Sequence, residues 1–198
     1  VLMADNAAVL ARLSPPGIDL NFGCPSPTVN SHRGGAALLD EPELLYAIAA
    51  AMRQRIPRSI PFTAKMRLGF SDCGRARECA QALAAGGIEV LVGHARTRQQ
   101  WCRPPAGWGE ILPLIEAVKI PIVANGEVWT VEDWQRCRDE SGCTDVMLAR
   151  GAVSDPFLAR RICAFARGEQ SPTRAQEWVE LLPLLARFWL AGSAKLEP

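Results

Sequence analysis

The feature of this sequence that most constrains its fold is a regular alternation of short apolar segments with amphipathic ones. The apolar segments, which we predict to be β-strands, cover residues 18–22, 62–67, 89–94, 121–125 and 145–149. The amphipathic segments, which we predict to be helices, cover residues 4–13, 42–55, 76–85, 108–118, 131–139, 155–167 and 174–191. Strands that alternate with helices in this way predict a parallel α/β fold.

Polar or glycine residues stand at or just after the end of every predicted strand. They are Asn21 and Cys24, Lys65 and Arg67, His94 and Arg96, Asn125 with Gly126 and Glu127, and Arg150 with Gly151. A doubly wound sheet concentrates its chemistry at one switch point, whereas a (β/α)8 barrel carries functional side chains at many strand ends. The sequence therefore predicts a partial (β/α)8 TIM barrel that comprises about the last five β/α units, since five strands do not close such a barrel.

We expect two parts along the chain. Residues 1–168 form the predicted barrel domain, from which the N-terminal strands are missing, and residues 169–198 begin a helical C-terminal domain. The boundary is placed in the segment 168–174, GEQSPTR, because it joins two helical patterns through turn-forming residues.

Composition narrows the classes of function. Hydrophobic residues make up 48% of the 198 residues and charged residues 22%, which is ordinary for a globular protein, and the net charge of +1 gives little sign of a dedicated nucleic-acid-binding surface. No segment has the length of a membrane span and no leader pattern opens the chain, so we expect a cytoplasmic protein. The seven cysteines form no CxxC pair and the histidines are His32 and His94, so no metal is expected.

A cysteine stands on the turn after the first predicted strand, in the tripeptide Gly23-Cys24-Pro25. Proline stiffens this turn, which suits an exposed reactive thiol, although a buried structural cysteine is the alternative. The thiol can act as a nucleophile once it is deprotonated or as a proton donor as it stands. A nucleophile needs a basic partner, for which His94 is the candidate, whereas a proton donor does not.

Two cations share one face of the second predicted strand. Lys65 and Arg67 are two residues apart, and alternate residues of a strand point the same way. If this face lines a barrel, the buried charges need an anionic partner such as a flavin or a phosphate. The alternative is a pair of cations at the rim, in contact with water.

Glycine-containing turns follow the last two predicted strands. Asn125-Gly126-Glu127 and Arg150-Gly151 are typical of the phosphate site that barrels form after their final strands, because glycine admits the ligand to the backbone and arginine offsets its charge. Two ordinary turns with a surface arginine are the alternative. His94 ends the third strand, where it either contacts a ligand or makes a hydrogen bond in the core.

Taken together, these motifs resemble the tRNA-dihydrouridine synthases, over residues from about 4 to 165. The motifs that carry the resemblance are Asn21-x-Gly23-Cys24-Pro25, Lys65-x-Arg67, His94-x-Arg96-Thr97, Pro121-Ile122-Val123-Ala124-Asn125-Gly126-Glu127 and Met147-x-x-Arg150-Gly151. The Asn-Gly-Glu-Val-Trp and Ser-Gly-Cys segments are similar to the bacterial subfamily C, which acts on the D-loop of tRNA.

The resemblance implies an FMN enzyme that reduces a uridine of tRNA to 5,6-dihydrouridine with NADPH as reductant. It implies that Cys24 is the proton donor and that Asn21 and Arg67 face the substrate uridine. The base must be flipped out of the folded RNA to reach the flavin. The residues implied to bind the cofactor or to lie beside it are Lys65, His94, Asn125, Gly126, Glu127, Ala149 and Arg150.

The chain departs from the family pattern in three ways. Ala95 and Ala149 each replace a glycine, and the first strands of the barrel, which contact the flavin, are absent. The C-terminal helical tRNA-binding domain is also cut short. Two alternatives therefore stay open: another FMN-dependent barrel oxidoreductase resembling dihydroorotate dehydrogenase, and a catalytically inactive truncated paralogue with residual RNA binding.

Overall fold

Five parallel strands form the centre of the molecule in a computed structural model, which describes residues 2–193. The strands are β1 (Ile18–Phe22), β2 (Phe62–Arg67), β3 (Val90–His94), β4 (Ile122–Asn125) and β5 (Asp145–Met147). They are ordered β1-β2-β3-β4-β5 and every neighbouring pair is parallel. The predicted α/β class and all five predicted strands are confirmed, although β5 ends two residues earlier than expected.

The helices lie where the amphipathic segments predict them, with two additions. They are α1 (Leu2–Ala11), α2 (Pro27–Ser31), α3 (Pro42–Arg53), α4 (Ala76–Ala85), α5 (Leu112–Ala117), α6 (Val131–Ser141), α7 (Arg150–Ser154), α8 (Leu158–Arg167) and α9 (Arg174–Ser193). Two 3₁₀ segments, Gly35–Asp40 and Trp108–Ile111, precede α3 and α5. The additions are α2 and α7, which have five residues each and occupy segments expected to be loops.

Helix α6 shows how local sequence sets these boundaries. The hydroxyl oxygen of Thr130 accepts a hydrogen bond from the backbone N–H of Asp133 at 3.1 Å, and the Asp133 carboxylate accepts one from the backbone N–H of Thr130 at 3.2 Å. This capping box satisfies two N–H groups that a helix start leaves free. The helix ends at Gly142, whose φ of +73° is a left-handed conformation that glycine adopts without strain.

The two faces of the sheet differ in polarity. In β1 the side chains of Ile18, Leu20 and Phe22 are buried in the hydrophobic core, while Asp19 and Asn21 on the opposite face are exposed. The polar face continues into β2, where the Thr63 hydroxyl donates to the Asp19 carboxylate at 2.6 Å across the parallel register. Alternation with a period of two therefore places the core on one side and polar groups on the other.

The carboxyl ends of the strands meet at one edge of the sheet, as parallel strands require. The register pairs Arg67 with His94, His94 with Asn125 and Asn125 with Met147. Side chains that are far apart in the sequence are thereby brought side by side, and this edge holds the candidate site.

Helix α9 is joined to the preceding part of the chain by charge pairs. Arg161 of α8 bonds the carboxylates of both Asp155 and Glu177, and Arg160 bonds Glu180. The division into two domains, residues 1–168 and 169–198, stays a prediction. Val1 and residues 194–198 lie outside the described residues. Between residues 2 and 193, no helix combines the length and apolarity needed to cross a membrane.

The packing of α5 onto the sheet gives a direct test of the fold. Leu114 is fully buried and its side chain packs over Gly93 of β3, whereas Leu112 of the same helix is 44% exposed. Leu114→Ala is expected to lower the free energy of unfolding by about 2–5 kcal/mol, because it opens a cavity in the core. Leu112→Ala is the matched control, with an expected loss of about 1 kcal/mol or less. Urea denaturation measures both, and equal losses would contradict this packing.

Candidate functional site

The turn that carries Cys24 is held by hydrogen bonds on both sides. The side-chain oxygen of Asn21 accepts the backbone N–H of Gly23 at 2.9 Å, which closes a local turn at the end of β1. The carbonyl oxygen of Cys24 accepts the backbone N–H of Ala36 at 3.0 Å. Gly35 has a φ of +58°, and a Cβ there would lie 2.8 Å from the Cys24 Cβ. Glycine is therefore required where the chain returns past the half-buried thiol residue.

Arg67 is buried at the end of β2, with 4% of its surface exposed. Its Nε donates to the Gly23 carbonyl at 2.9 Å, and its Nη1 donates to the carbonyls of Thr97 and Trp101 at 2.9 and 2.7 Å. Arg67 thus joins the Cys24 turn to the loop that follows β3. Its role toward a uridine stays a prediction, because these three bonds are made to the backbone.

Lys65 lies on the polar face of the sheet and is half-buried. Burial lowers the pKa of its ammonium group, the neighbouring Arg67 lowers it further, and Asp19 opposes the shift. Within residues 2–193 the ammonium has no hydrogen-bond partner. A cation in this position is stabilised by an anion on the polar face, as the sequence predicts.

Two hydrogen bonds in series fix the tautomer of His94, and burial among cations keeps its ring neutral. The Asn125 amide nitrogen donates to the Met147 carbonyl at 2.9 Å, so its oxygen faces the His94 Nδ1 at 2.8 Å. Nδ1 therefore carries the proton and Nε2 presents a lone pair, with Arg96 Nη1 3.5 Å away. Burial, together with the positive charges of Lys65 and Arg67, lowers the pKa of His94 to about 3, so the ring is neutral at pH 7.

Glu127 lies between two arginines. Its Oε1 is 2.9 Å from Nη2 of the fully buried Arg96 and 2.6 Å from Nη2 of Arg150. The contact with Arg96 is an ion pair without an aligned hydrogen bond, since Nη2 and Nε of Arg96 lack hydrogen-bond partners among the described residues. Burial acts to raise the pKa of Glu127, but the ion pair with Arg96, the indole N–H of Trp129 and the charge of Arg150 outweigh it and lower the pKa.

Two glycines in this region allow close backbone approaches. Gly126 has a φ of +127°, and its carbonyl accepts the indole N–H of Trp108 at 2.7 Å. A Cβ on Gly151 would lie 2.0 Å from the Val128 carbonyl oxygen. The loops after β4 and β5 can therefore pack together only because glycine occupies position 151.

Six of the seven predicted cofactor-binding residues line a single cleft at the carboxyl edge. These six are His94, Asn125, Gly126, Glu127, Ala149 and Arg150, and they share the cleft with Val128, Trp129, Met147 and Gly151. Lys65 does not line this cleft and lies on the polar face of β2. Asn21 lies in β1 and Cys24 just after it. In the strand order, β1 is the outermost strand on the side away from β5.

The charges at the cleft suit the phosphate group of a ligand such as FMN, and with a volume of about 30 Å³ the cleft holds only a part of such a ligand. Two guanidinium groups, those of Arg96 and Arg150, share one carboxylate oxygen of Glu127, which leaves positive charge in excess. Of the buried nitrogen atoms of Arg96, Nη2 is paired with Glu127, whereas Nε is without a hydrogen-bond partner in the part of the chain that is described. An anion with several acceptor oxygens satisfies both conditions. No cluster suited to a metal occurs among residues 2–193.

A larger cavity lies away from these groups, between the loops after β2 and β3. It has a volume of about 610 Å³ and is lined by residues that include Cys73, Arg103 and Glu110. Glu110 accepts a hydrogen bond from the Cys73 thiol at 2.9 Å, and burial with Glu110 raises the pKa of this thiol to about 12. We place the site in the smaller cleft, because convergent charged groups identify a site better than volume does.

Sequence reasoning missed two residues that contact the Cys24 turn. The amide of Asn30 donates to the carbonyls of Cys24 and Gly34, and Arg98 donates to the Pro25 carbonyl. Asn30 lies in a helix of only five residues, and Arg98 lies in the loop that follows β3. No periodic pattern marks either residue, so only the fold brings them to Cys24.

A parallel sheet that gathers cations, glycine turns and a neutral imidazole at its carboxyl edge defines an α/β protein with a ligand site at its strand ends. Residues 1–185 match the family model described as dihydrouridine synthase, and the chain belongs to that family. The family expected from the sequence motifs is therefore confirmed.

Curated relatives are similar over nearly the whole chain. The tRNA-dihydrouridine(16) synthase of Aquipseudomonas alcaligenes is 53% identical over 99% of this chain and 62% of the relative. The protein of the same name from Cupriavidus necator is 56% identical over 94% of this chain and 57% of the relative. The chain thus spans about three-fifths of the length of these relatives.

Solved structures resemble the chain only weakly. A dihydrodipicolinate synthase from Bacillus anthracis covers 99% of this chain and 76% of its own, with 10% identity and a TM-score of 0.43. A likeness at this level supports no argument about fold or function.

The low pKa of His94 predicts that the NMR signals of its imidazole ring do not change between pH 8 and pH 5. Because its pKa is lowered to about 3, we expect the His94 ring to stay neutral, with the proton on Nδ1, between pH 8 and pH 5. Nitrogen-15 NMR of the imidazoles measures both the charge and the tautomer. The variant His32→Gln removes the other histidine, which is exposed, and leaves the signals of His94 alone. A remaining ring that becomes protonated near pH 6.5 would refute the assignment.

Proposed function

We propose that this chain is the greater part of a tRNA-dihydrouridine synthase, an oxidoreductase that reduces a D-loop uridine of tRNA to 5,6-dihydrouridine. FMN is the proposed cofactor and NADPH the proposed reductant, as the family resemblance implies. The names of the similar bacterial proteins suggest position 16 of the tRNA as the target. The proposed location is the cytoplasm, where tRNA is available.

One observation carries the proposal. Six residues predicted from the sequence to bind the cofactor line one cleft, and Arg67 links this edge to the turn of the predicted proton donor. The charge of Arg67 interacts electrostatically with both Cys24 and His94. The six residues come from three strands and the loops that follow them, and Arg67 of a fourth strand connects this edge to the Cys24 turn.

The arrangement of the sheet supports a partial (β/α)8 barrel as the architecture of the catalytic part. The strands follow one another in chain order, as in a barrel, and do not reverse as they do at a switch point. Core residues occupy one face and polar groups the other, and the site lies at the carboxyl edge. The C-terminal helix α9 is proposed to begin the helical tRNA-binding domain.

The cofactor-binding residues have separate roles in this proposal. Arg150, which lines the cleft, would hold the phosphate, while Glu127 pairs with both Arg150 and the fully buried Arg96 behind it. The Nε2 lone pair of His94 would accept a hydrogen bond from the ligand, because the opposite nitrogen is committed to Asn125. Lys65 would offset negative charge on the polar face of the sheet. When bound, FMN supplies the hydride for the reduction.

Cys24 supplies the proton in the proposed reaction. The thiol donates its proton to C5 of the uracil ring, becomes a thiolate and later regains a proton from solvent. The guanidinium of Arg67 lies close enough to favour this negative charge. A thiol on this turn suits proton donation better than nucleophilic attack, because the candidate base His94 has a pKa lowered to about 3 and lies in the cofactor cleft.

A pair of cysteine variants tests the function. The purified chain, supplied with FMN and NADPH, is incubated with tRNA that lacks dihydrouridine, and the product is measured by mass spectrometry of the nucleosides. Cys24→Ala is expected to slow formation of dihydrouridine by about 10²–10⁴-fold, as loss of a general acid does, while reduction of the flavin by NADPH persists. Cys163→Ala is the matched control, because Cys163 is an exposed residue of α8.

The same assay separates the alternatives. Oxidation of dihydroorotate without formation of dihydrouridine would favour a dihydroorotate-dehydrogenase-like enzyme. A colourless chain that binds tRNA and forms no product would favour an inactive paralogue. Equal activity of Cys24→Ala and the unsubstituted chain would contradict the assigned proton donor.

A further inference from the structure

Three consecutive carbonyl groups of the Cys24 turn each accept a hydrogen bond from a side chain elsewhere in the chain. The bonds run from Arg67 Nε to Gly23 at 2.9 Å, from Asn30 Nδ2 to Cys24 at 3.0 Å and from Arg98 Nε to Pro25 at 3.3 Å. Fixing the carbonyls on both sides of a residue fixes its backbone dihedral angles, and with them the direction of its side chain. The position of the thiol therefore depends on these three donors.

Asn30 is the centre of this arrangement, and both ends of its amide are in use. Its Nδ2 donates to the carbonyls of Cys24 and Gly34, the second at 2.9 Å. Its Oδ1 accepts from Arg98 Nε at 3.2 Å, and this single N–H is shared with the Pro25 carbonyl. A guanidinium group only donates hydrogen bonds, so Arg98 keeps the amide oxygen facing it. The amide nitrogen is thereby kept facing the Cys24 carbonyl.

Arg98 is itself anchored to the neighbouring loop. Its backbone N–H donates to the Gly69 carbonyl at 2.8 Å, and its guanidinium carbon lies 5.1 Å from the centre of the Phe70 ring. Both contacts belong to the loop after β2. Arg98 does not line the cofactor cleft, and the hydrogen bonds of its side chain go to Pro25 and Asn30.

We propose that Arg98 is a positioning residue for Cys24, which it holds through Pro25 and Asn30 so that the thiol keeps one position at the end of β1. The consequence for proton transfer rests on the proposed function, whereas the restraint that Arg98 places on the backbone of the Cys24 turn does not. Proton transfer needs the two heavy atoms within about 2.6–3.2 Å of each other, and a misplacement of about 1 Å in an active site can cost about 100-fold in rate.

Hydrogen exchange of the full chain tests the hold on the turn without reference to activity. The backbone N–H of Ala36 bonds the Cys24 carbonyl and reports on the opening of residues 24–36. In Arg98→Ala we expect the backbone amide hydrogens of residues 24–36 to exchange with solvent at least threefold faster than in the unsubstituted chain. Arg103→Ala is the matched control, because it removes an exposed arginine from the same loop, and we expect unchanged exchange. Unchanged exchange in Arg98→Ala would overturn the proposal.

A second variant guards against a general loss of folding. Asn30→Asp has almost the same shape but removes both donors to the carbonyls of Cys24 and Gly34. It is expected to speed exchange in residues 24–36 as Arg98→Ala does, while exchange in β3 and β4 is unchanged. Faster exchange throughout the sheet in both variants would show a purely structural role and would also overturn the proposal.

A double-mutant cycle tests the consequence for the reaction. With the FMN-loaded chain and tRNA in a single turnover, Arg98→Ala is expected to slow product formation at least tenfold when Cys24 is present and to have no further effect in Cys24→Ala. Equal losses in the two backgrounds would refute the role in positioning. If the unsubstituted chain forms no dihydrouridine, the proposed function fails, and hydrogen exchange alone then decides whether Arg98 holds the turn.

Discussion

Parallel pairing of the strands determines where every group of the site lies. The register places Arg67, His94, Asn125 and Met147 on one line across four strands. The hydrogen bonds of the site follow this line, since Asn125 bonds both His94 and the Met147 carbonyl. A shift of one residue in any pairing would turn these side chains toward the hydrophobic core, where their polar groups would be unpaired.

The electrostatic balance of the site follows from that geometry. The edge collects Lys65, Arg67, Arg96 and Arg150, while Glu127 is the carboxylate between the two last-named arginines. The cations differ in their hydrogen-bond and ion-pair partners. Arg67 is bonded to three backbone carbonyls, whereas Arg96 is ion-paired with Glu127 and its Nε has no hydrogen-bond partner among the described residues. The neutral imidazole of His94 avoids adding another positive charge, and the surplus suits an anionic ligand.

Much of the fold could be predicted from the sequence, because strand and helix periodicities are local signals. The five strands were predictable in this way, and so was the shared face of Lys65 and Arg67. Helices α2 and α7 were not, since five residues are too few for a helical period to show. The different surroundings of Lys65 and Arg67 were also hidden, because the carbonyls that Arg67 bonds are 30 to 44 residues away in the sequence.

The burial of His94 beside the cations Lys65 and Arg67 has a consequence for how the cleft responds to acidity. Because the imidazole takes up no proton until the pH falls to about 3, it contributes no charge change to ligand binding across the neutral range. A phosphate monoester, in contrast, changes its own charge near pH 6. Near neutrality the pH profile of affinity therefore reflects the charge of the ligand and receives no contribution from His94.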